Sequence, residues 1–246
     1  MPDFLLFRLY GPLASWGEIA VGERRGSWSR PGKSGVLGMV AAALGIRRDE
    51  ADRLAALTAG YDFAVRVDAP GVPLRDYHTA QTVREADMKK LRKIDSRPMT
   101  RRRELAVEKE DRETILSQRD YYADFMATVA LWQREASPHS LAALADALRR
   151  PGFVLYLGRK SCPLGLPLAP ALVSAETLSE AFAGYAPPVL AAGLEKSDPR
   201  RLVSWEGDIA PGERIRPLHT EHRRDASTNR QRWQFAERSE RIGYFT

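Results

Sequence analysis

Cysteine is almost missing: Cys162 is alone in 246 residues. That excludes an internal disulfide, and no metal-binding cysteine spacing can be built from it. Histidine is nearly as scarce, with His78, His139, His219 and His222 only. His219 and His222 stand three apart, but no cysteine or third histidine nearby completes a metal site. No apolar run reaches membrane-spanning length, because arginine or glycine interrupts each one. The opening "MPDFLLFRLYG" lacks the basic start and the long apolar core of a secretion signal. No Ser-His-Asp set or carboxylate pair can be placed, and Asp76, Asp120 and Asp124 each neighbour Arg or Tyr and read as structural. The expectation is a cytoplasmic protein with no metal, no cofactor and no membrane attachment.

Negative charge is also in deficit. The formal net charge is +6 and the sequence pI about 9.6. A polyanionic partner fits that balance, and so does a soluble protein that is merely rich in arginine. At 43% apolar and 28% charged, the chain can bury a large core, as one domain or as a main domain with a smaller appendage.

The stretch "SRPGKSGVLGMVAAALGI" puts Gly32-Lys33-Ser34 before an apolar run. A phosphate loop of the ATPase kind needs a glycine five residues before Gly32, and Ser27 stands there; Gly26 comes one residue too early. The preceding "VGERRGSWSR" is no buried strand. The spacing weighs against an ATPase, which would require nucleotide hydrolysis that Lys33→Ala removes, and Lys33 calls for another use.

Along the chain, "FLLFRLY" (residues 4 to 10) reads as a buried strand ended by Gly11-Pro12. Ser34 is placed as the cap of a helix from Val36 to Leu44, which Gly45 ends. The charged helical stretch "RRDEADRLAALTA" follows, then "DFAVRVD", a half-exposed strand with Phe63, Val65 and Val67 on one face. The order then recurs. "DFMATVALW" sets Phe125, Ala127, Val129 and Leu131 on one strand face. "SPHSLAALADALRRPG" reads as a helix with Ser137 at the N-cap, Pro138 at N1 and Leu141, Leu144, Ala145 and Leu148 on one face. "FVLYL" reads as the fourth strand. Two β-α-β halves imply an α+β fold with a ferredoxin-like, RRM-like βαββαβ core over residues 1–170. Residues 171–246, Ala/Pro-rich and then arginine-rich, are expected to be a small C-terminal subdomain or extension, with Trp205, Trp233 and Phe235 supplying a modest core.

Between the halves lies an insertion of roughly residues 69 to 119, too long for a plain connection. From Lys89 to Arg103 it holds eight cations, among them Arg101 and Arg102, against Asp95 alone. Such a run is either a solvated loop or a projecting basic arm. Tyr77, Tyr121 and Tyr122 at its root favour an arm that clamps nucleic acid, beginning near residue 76.

Chemistry concentrates in two further places. The loop Gly158-Arg159-Lys160-Ser161 offers a backbone nest, two cations and a hydroxyl, a set suited to phosphate oxygens. In the expected fold it faces the start of the first helix, so Lys33 and Ser34 would share a groove with Arg159, Lys160 and Ser161. His78, in "LRDYHTAQ" beside Arg75 and Tyr77, could serve as a general base in RNA cleavage or could contact RNA without reacting. Cys162 reads as a small packed residue.

The blocks "RLYGPLASWGE", "KSGVLGMVAAALGI", "LRDYHTAQ", "SQRDYYADFMATVALW" and "YLGRKSCPLGLPL" resemble, in order, the CasD family over about residues 4 to 170. The resemblance implies a non-catalytic subunit of a type I-E CRISPR Cascade complex that caps the 5′ handle of the crRNA. The basic insertion would be a thumb across the guide. The partners implied are the crRNA handle, a Cascade backbone subunit and the large subunit that reads the PAM, with target DNA met only through the complex. Carried onto this chain, it implies RNA contacts at Lys33, Ser34, Arg75, Tyr77, His78, Arg101, Arg102, Arg119, Tyr122, Arg159, Lys160 and Ser161. Related type I-C proteins cleave repeat RNA with a Tyr, Lys and His set. Here Tyr77 fills the place of the Lys before His78, which weighs against the alternative of a metal-independent endoribonuclease.

Overall fold

The computed structural model describes residues 1–246 except 19, 21, 95–99, 189–200 and 230–233. Its strands and helices, in chain order, begin with β1 (Asp3–Ala14), the short β2 (Trp16–Gly17), β3 (Arg24–Arg25) and β4 (Ser27–Trp28), and α1 (Lys33–Ala43) and α2 (Ala51–Gly60). There follow β5 (Tyr61–Ala69), β6 (Val72–Val83), α3 (Glu85–Ile94), α4 (Arg101–Glu104), β7 (Arg112–Gln133) and α5 (Leu141–Arg149). The chain ends with β8 (Ala171–Ser174), α6 (Leu178–Gly184), β9 (Arg201–Trp205), β10 (Ile215–Asn229) and β11 (Gln234–Phe245).

One mostly antiparallel sheet runs in the order β10-β11-β9-β5-β7-β1-β8, and β3 and β6 pair with the outer part of β7. Within it β5, β7, β1 and β8 are antiparallel neighbours, and α1, α2 and α5 connect them. Alternation along the strands sorts the sheet's two faces. Leu5, Phe7, Leu9, Phe63, Val65, Val67, Phe125, Ala127, Val129 and Leu131 face the α1, α2 and α5 layer, in one cluster with Val36, Val40, Leu57, Leu144 and Leu148. The opposite face carries Phe4, Leu6, Ala64, Ala130 and Trp132, covered by Leu178 and Phe182 of α6 and by Val203, Trp205, Ile215 and Phe245.

Several expectations need correction. β5 is not half-exposed, because α6 and the C-terminal strands cover its second face; Tyr61 to Val67 are all buried. Residues 153–157 do not form a strand. Their only ladder contact is one isolated bridge, Tyr156 to Pro163, and the strand beside β1 is Ala171–Ser174. α5 begins at Leu141 rather than Pro138, with the Ser140 hydroxyl accepting from the Ala143 N–H at 3.2 Å. Three residues later is the better cap, because the Tyr61 hydroxyl fixes the His139 backbone by accepting from its N–H at 3.0 Å. α1 begins one residue before Ser34 and is capped by Gly32 without a side chain.

The C-terminal strands do not stand apart, since β9 pairs with β5 and adds β11 and β10 to the same sheet. Trp205 is fully buried, Phe235 half-buried, and Trp233 lies outside the described residues. The β10–β11 hairpin is locked to the N-terminal half by buried ion pairs. Arg30 holds Glu221 at 2.5 Å and also meets Glu240, which Arg223 and Arg238 reach at 3.5 and 2.9 Å. Arg238 further holds Asp225 at 2.6 Å, and Arg223 stacks on Trp28 at 4.7 Å.

The insertion is a two-stranded ribbon. β6 pairs with the outer half of β7 from Val72↔Ala123 to Val83↔Arg112, and α3 and α4 lie at its far end. The root turns at Gly71 (φ +71°), where any Cβ would press on the Ala123 carbonyl, and at Asp124 (φ +55°). β7 passes through that bulge unbroken, so its inner half is core and its outer half is ribbon.

Candidate nucleic-acid interface

The site lies where the ribbon leaves the sheet, beside the N-terminus of α1. Asp120, on β7, is its centre. Arg75 Nε donates to it at 2.7 Å across the β6–β7 ladder, and Arg24 Nη2 donates at 3.2 Å from β3. These bonds, Arg75 first, hold the carboxyl of Asp120 below the usual carboxylate range. Arg24 and Arg75 hold this anion, and the loop after residue 157 brings Arg159 onto the Asp120 carbonyl with Lys160 next in the chain; Arg25 follows Arg24, while Arg119 stands on the ribbon's other face, across from Asp76. The cations here outnumber the carboxylates of Asp120, Asp76 and Glu18, which leaves a positive patch.

Gly158 is required where it stands. Its φ is +84°, and a Cβ there would overlap the Ser15 carbonyl. That close approach brings the following residues down onto the ribbon root. Arg159 is then spent on structure: it donates to the Asp120 and Arg25 carbonyls at 3.2 and 2.7 Å and stacks on Tyr121 at 4.9 Å. Lys160 is exposed and has no hydrogen bond or ion pair among the described residues. Ser161 is exposed as well, and Cys162 behind it is buried, its thiol pKa raised by desolvation.

Gly158 also lines a cleft of about 270 Å³ with Gly32, Ser34, Gly35, Arg48 and Arg223. The loop and the start of α1 therefore meet, as expected from the fold, but Lys33 does not take part. It is buried and paired with Glu206, and desolvation lowers its pKa. The expectation of Lys33 as a phosphate contact is corrected for that reason: Glu206, brought in by the turn after β9, holds the ammonium inside. Ser34 is half-exposed at the cleft.

On the ribbon, Tyr77 and His78 are both exposed, and as consecutive strand residues they point to opposite faces. His78 Nδ1 lies 3.8 Å from Asp76. Arg119 donates to the Ser117 hydroxyl at 3.1 Å, while Tyr122 packs partly on the core. Arg101 and Arg102 are exposed on α4. Of the basic run from Lys89 to Arg103, residues 95–99 lie outside the described part.

Sequence reasoning missed Arg24, Arg25, Arg48 and Arg223. Arg24 and Arg25 sit in "VGERRGSWSR", which has no periodicity, and nothing local says that they run parallel to β7 beside Gln118 and Arg119. The doublet beside Gly26 was the available signal. Among the described residues no cluster of three or more His, Cys, Asp or Glu is placed to hold a metal, and no helix is long and apolar enough to cross a membrane.

Comparison with known proteins places this architecture. Residues 4–241 match the family model described as "CRISPR-associated protein (Cas_Cas5)". The "CRISPR system Cascade subunit CasD" of Escherichia coli (strain K12) is 34% identical over 195 residues, spanning 76% of this chain and 79% of that protein. A chain of a solved structure described as "CRISPR RNA-guided surveillance complex" superposes with a TM-score of 0.62 at 28% identity, covering 98% of this chain and 88% of that one. Another, "Crystal structure of Cas protein", gives 0.59 at 30% identity, covering 98% and 94%. This chain belongs to the CasD/Cas5 family of CRISPR-associated proteins.

Proposed function

We propose that the chain is a non-catalytic subunit of a Cascade-type CRISPR surveillance complex in the cytoplasm, where it holds the 5′ handle of the crRNA. The observation that carries this reading is the ribbon-root patch, where Arg24 and Arg75 hold Asp120, Arg159 packs on Tyr121 and the exposed Lys160 follows it, beside the cleft at α1. Exposed cations on a preformed backbone suit phosphate oxygens, and Tyr77 offers an exposed ring to an unstacked base.

In this reading β5, β7, β1 and β8 with their helices are a ferredoxin-like core, which the fourth-first-third-second strand order supports. The ribbon with α3 and α4 is the thumb, and Arg101 and Arg102 reach RNA or the neighbouring backbone subunit from it. Residues after 170 complete the core strand β8 and then extend the sheet. Because α6 covers the sheet's second face, the RNA lies along loops and the ribbon rather than across the strands as in RRM modules. The large PAM-reading subunit and the target DNA are met through the assembled complex.

The non-catalytic reading rests on the division of Tyr77 and His78 between two faces, which keeps them from acting on one phosphate. The test is binding and cleavage of a repeat RNA carrying the handle, in EDTA, by the full chain. Handle binding without cleavage is expected, with Lys160→Ala weakening it more than Arg101→Ala or Arg102→Ala, because the loop is already ordered before binding. Specific cleavage lost in His78→Ala would replace this reading with the endoribonuclease.

A further inference from the structure

The motif "CPLGLPLAP", residues 162–170, has no part in the cation patch, yet it forms one wall of a surface groove. The groove is about 520 Å³ and is lined by Leu148, Arg149, Val154, Leu164, Leu168 and Pro170 among others. A second groove of about 290 Å³, lined by Met39, Ile46, Leu54 and Arg48, lies on the other side of Val154. Val154 is the ridge between them and is 84% exposed. Phe153 and Tyr156, 43% and 41% exposed, flank it in the chain. An apolar patch of this kind marks an interaction surface rather than ordinary exposure.

The wall is held rigid from behind. Arg8 donates to the Pro167 carbonyl at 3.3 Å, and its backbone N–H donates to the Leu168 carbonyl at 2.7 Å. The Tyr185 hydroxyl donates to the Ala169 carbonyl at 2.9 Å, and Arg149 to the Pro170 carbonyl at 2.9 Å. Ala169 is thereby kept at φ +49°, a conformation that a residue with a Cβ adopts only when its surroundings hold it there. A groove fixed before binding loses little entropy when filled.

Charge decides what fills it. No carboxylate lines either groove, whereas each is lined by an arginine, Arg48 in one and Arg149 in the other; of the carboxylates behind the rim, Asp146 is paired with Arg149 at 2.8 Å and Glu50 with Arg53 at 2.6 Å. Exposed Arg47 and Arg150 stand next to them in the chain. We propose that this face docks a protein partner through an acidic amphipathic segment, whose apolar side chains straddle Val154 and whose carboxylates meet the arginine rim. Apolar lining on both sides of the ridge favours a protein over RNA, whose phosphates would leave the grooves empty. The inference depends on the proposed function only in supposing that the chain works beside other subunits.

The test is assembly of the complex by co-expression of the full chain with the other protein subunits of its own CRISPR operon and a crRNA. A photo-crosslinking amino acid at position 154 is expected to give adducts with one subunit, mapping to a segment of apolar residues flanked by Asp or Glu. Val154→Asp should lower recovery of that subunit about tenfold, as loss of a central anchor does, with crRNA retention by the chain unchanged. Arg149→Glu should weaken the same subunit and should be restored in part by a Lys replacing the facing carboxylate. Because Val154 is exposed, an unaltered melting curve separates these effects from misfolding. Adducts on RNA, adducts on a second copy of this chain, or full recovery of every subunit with Val154→Asp would each overturn the proposal. Loss of crRNA alone, with subunits retained, would count against this docking face and leave the handle reading standing.

Discussion

Gly158 shows how a single residue can set the whole ribbon-root patch. Its positive φ and its contact with the Ser15 carbonyl bring the loop down, and only then can Arg159 reach Asp120 and Arg25. Gly158→Ala must leave that conformation or distort β1 at its end, at about 1–3 kcal/mol for the strained backbone before any overlap is counted. The expected outcome is a lowered melting temperature together with weaker handle binding, checked by calorimetry and by RNA titration on one preparation. Lys33 teaches the opposite lesson. A lysine after glycine at a helix start invites a phosphate, but nothing local reveals that Glu206, more than 170 positions away, holds it. The exposure of Lys160 was legible because its loop is short and its neighbours are polar or charged. The doublet Arg24-Arg25 was not, because its place depends on a parallel pairing with β7.

At the scale of elements, strong alternation and helical periodicity were read correctly. β1, the inner half of β7, and the buried faces of α1 and α5 follow from residues such as Phe7, Val129, Val40 and Leu144. The apolar run at 153–157 misled because apolar does not mean paired: Val154 projects into solvent while Leu155 and Leu157 turn inward. "ALVS", too short to stand out, supplies the strand instead. The ribbon strands escaped because "RDYHTAQT" carries no apolar face, and the long pairing with β7 alone sustains them. That ladder also allows a direct test. Since Val83 and Arg112 are paired, an Asn-Gly turn can join them in place of residues 84–111. The shortened chain should keep its circular dichroism and nearly its melting temperature, yet bind RNA with a shallower salt dependence. Each lost phosphate contact removes about 0.7 from the slope of log K against log salt for a single strand. An unchanged slope would show that the tip does not touch RNA.

Taken as a whole, the core of the main sheet is covered on both faces, and residues of β9, β10 and β11 are part of that closure. The ionic network makes the point sharply. Glu240 is inaccessible and serves Arg30, Arg223 and Arg238 together; in Glu240→Gln, Arg30 keeps Glu221 and Arg238 keeps Asp225 and Glu206, but the buried Arg223 loses its one ion pair among the described residues. Removing one partner of a buried pair costs about 3–5 kcal/mol, and that loss should appear in denaturant titration as a lower midpoint. A midpoint like that of the wild type would mean that water reaches these arginines. None of this was readable as an arginine-rich tail, because the charges cancel only once β10 and β11 lie against Arg30 and the turn after β9 brings Glu206 to Lys33.

β7 spans 22 residues, roughly 70 Å of backbone, and the same peptide units that centre the hydrophobic layers continue outward as one edge of the ribbon. A load applied at the far tip is thus borne by the middle of the sheet without a joint between, save the bend at Asp124. Subunits that grip the arm during assembly would be gripping, mechanically, the keel of the molecule.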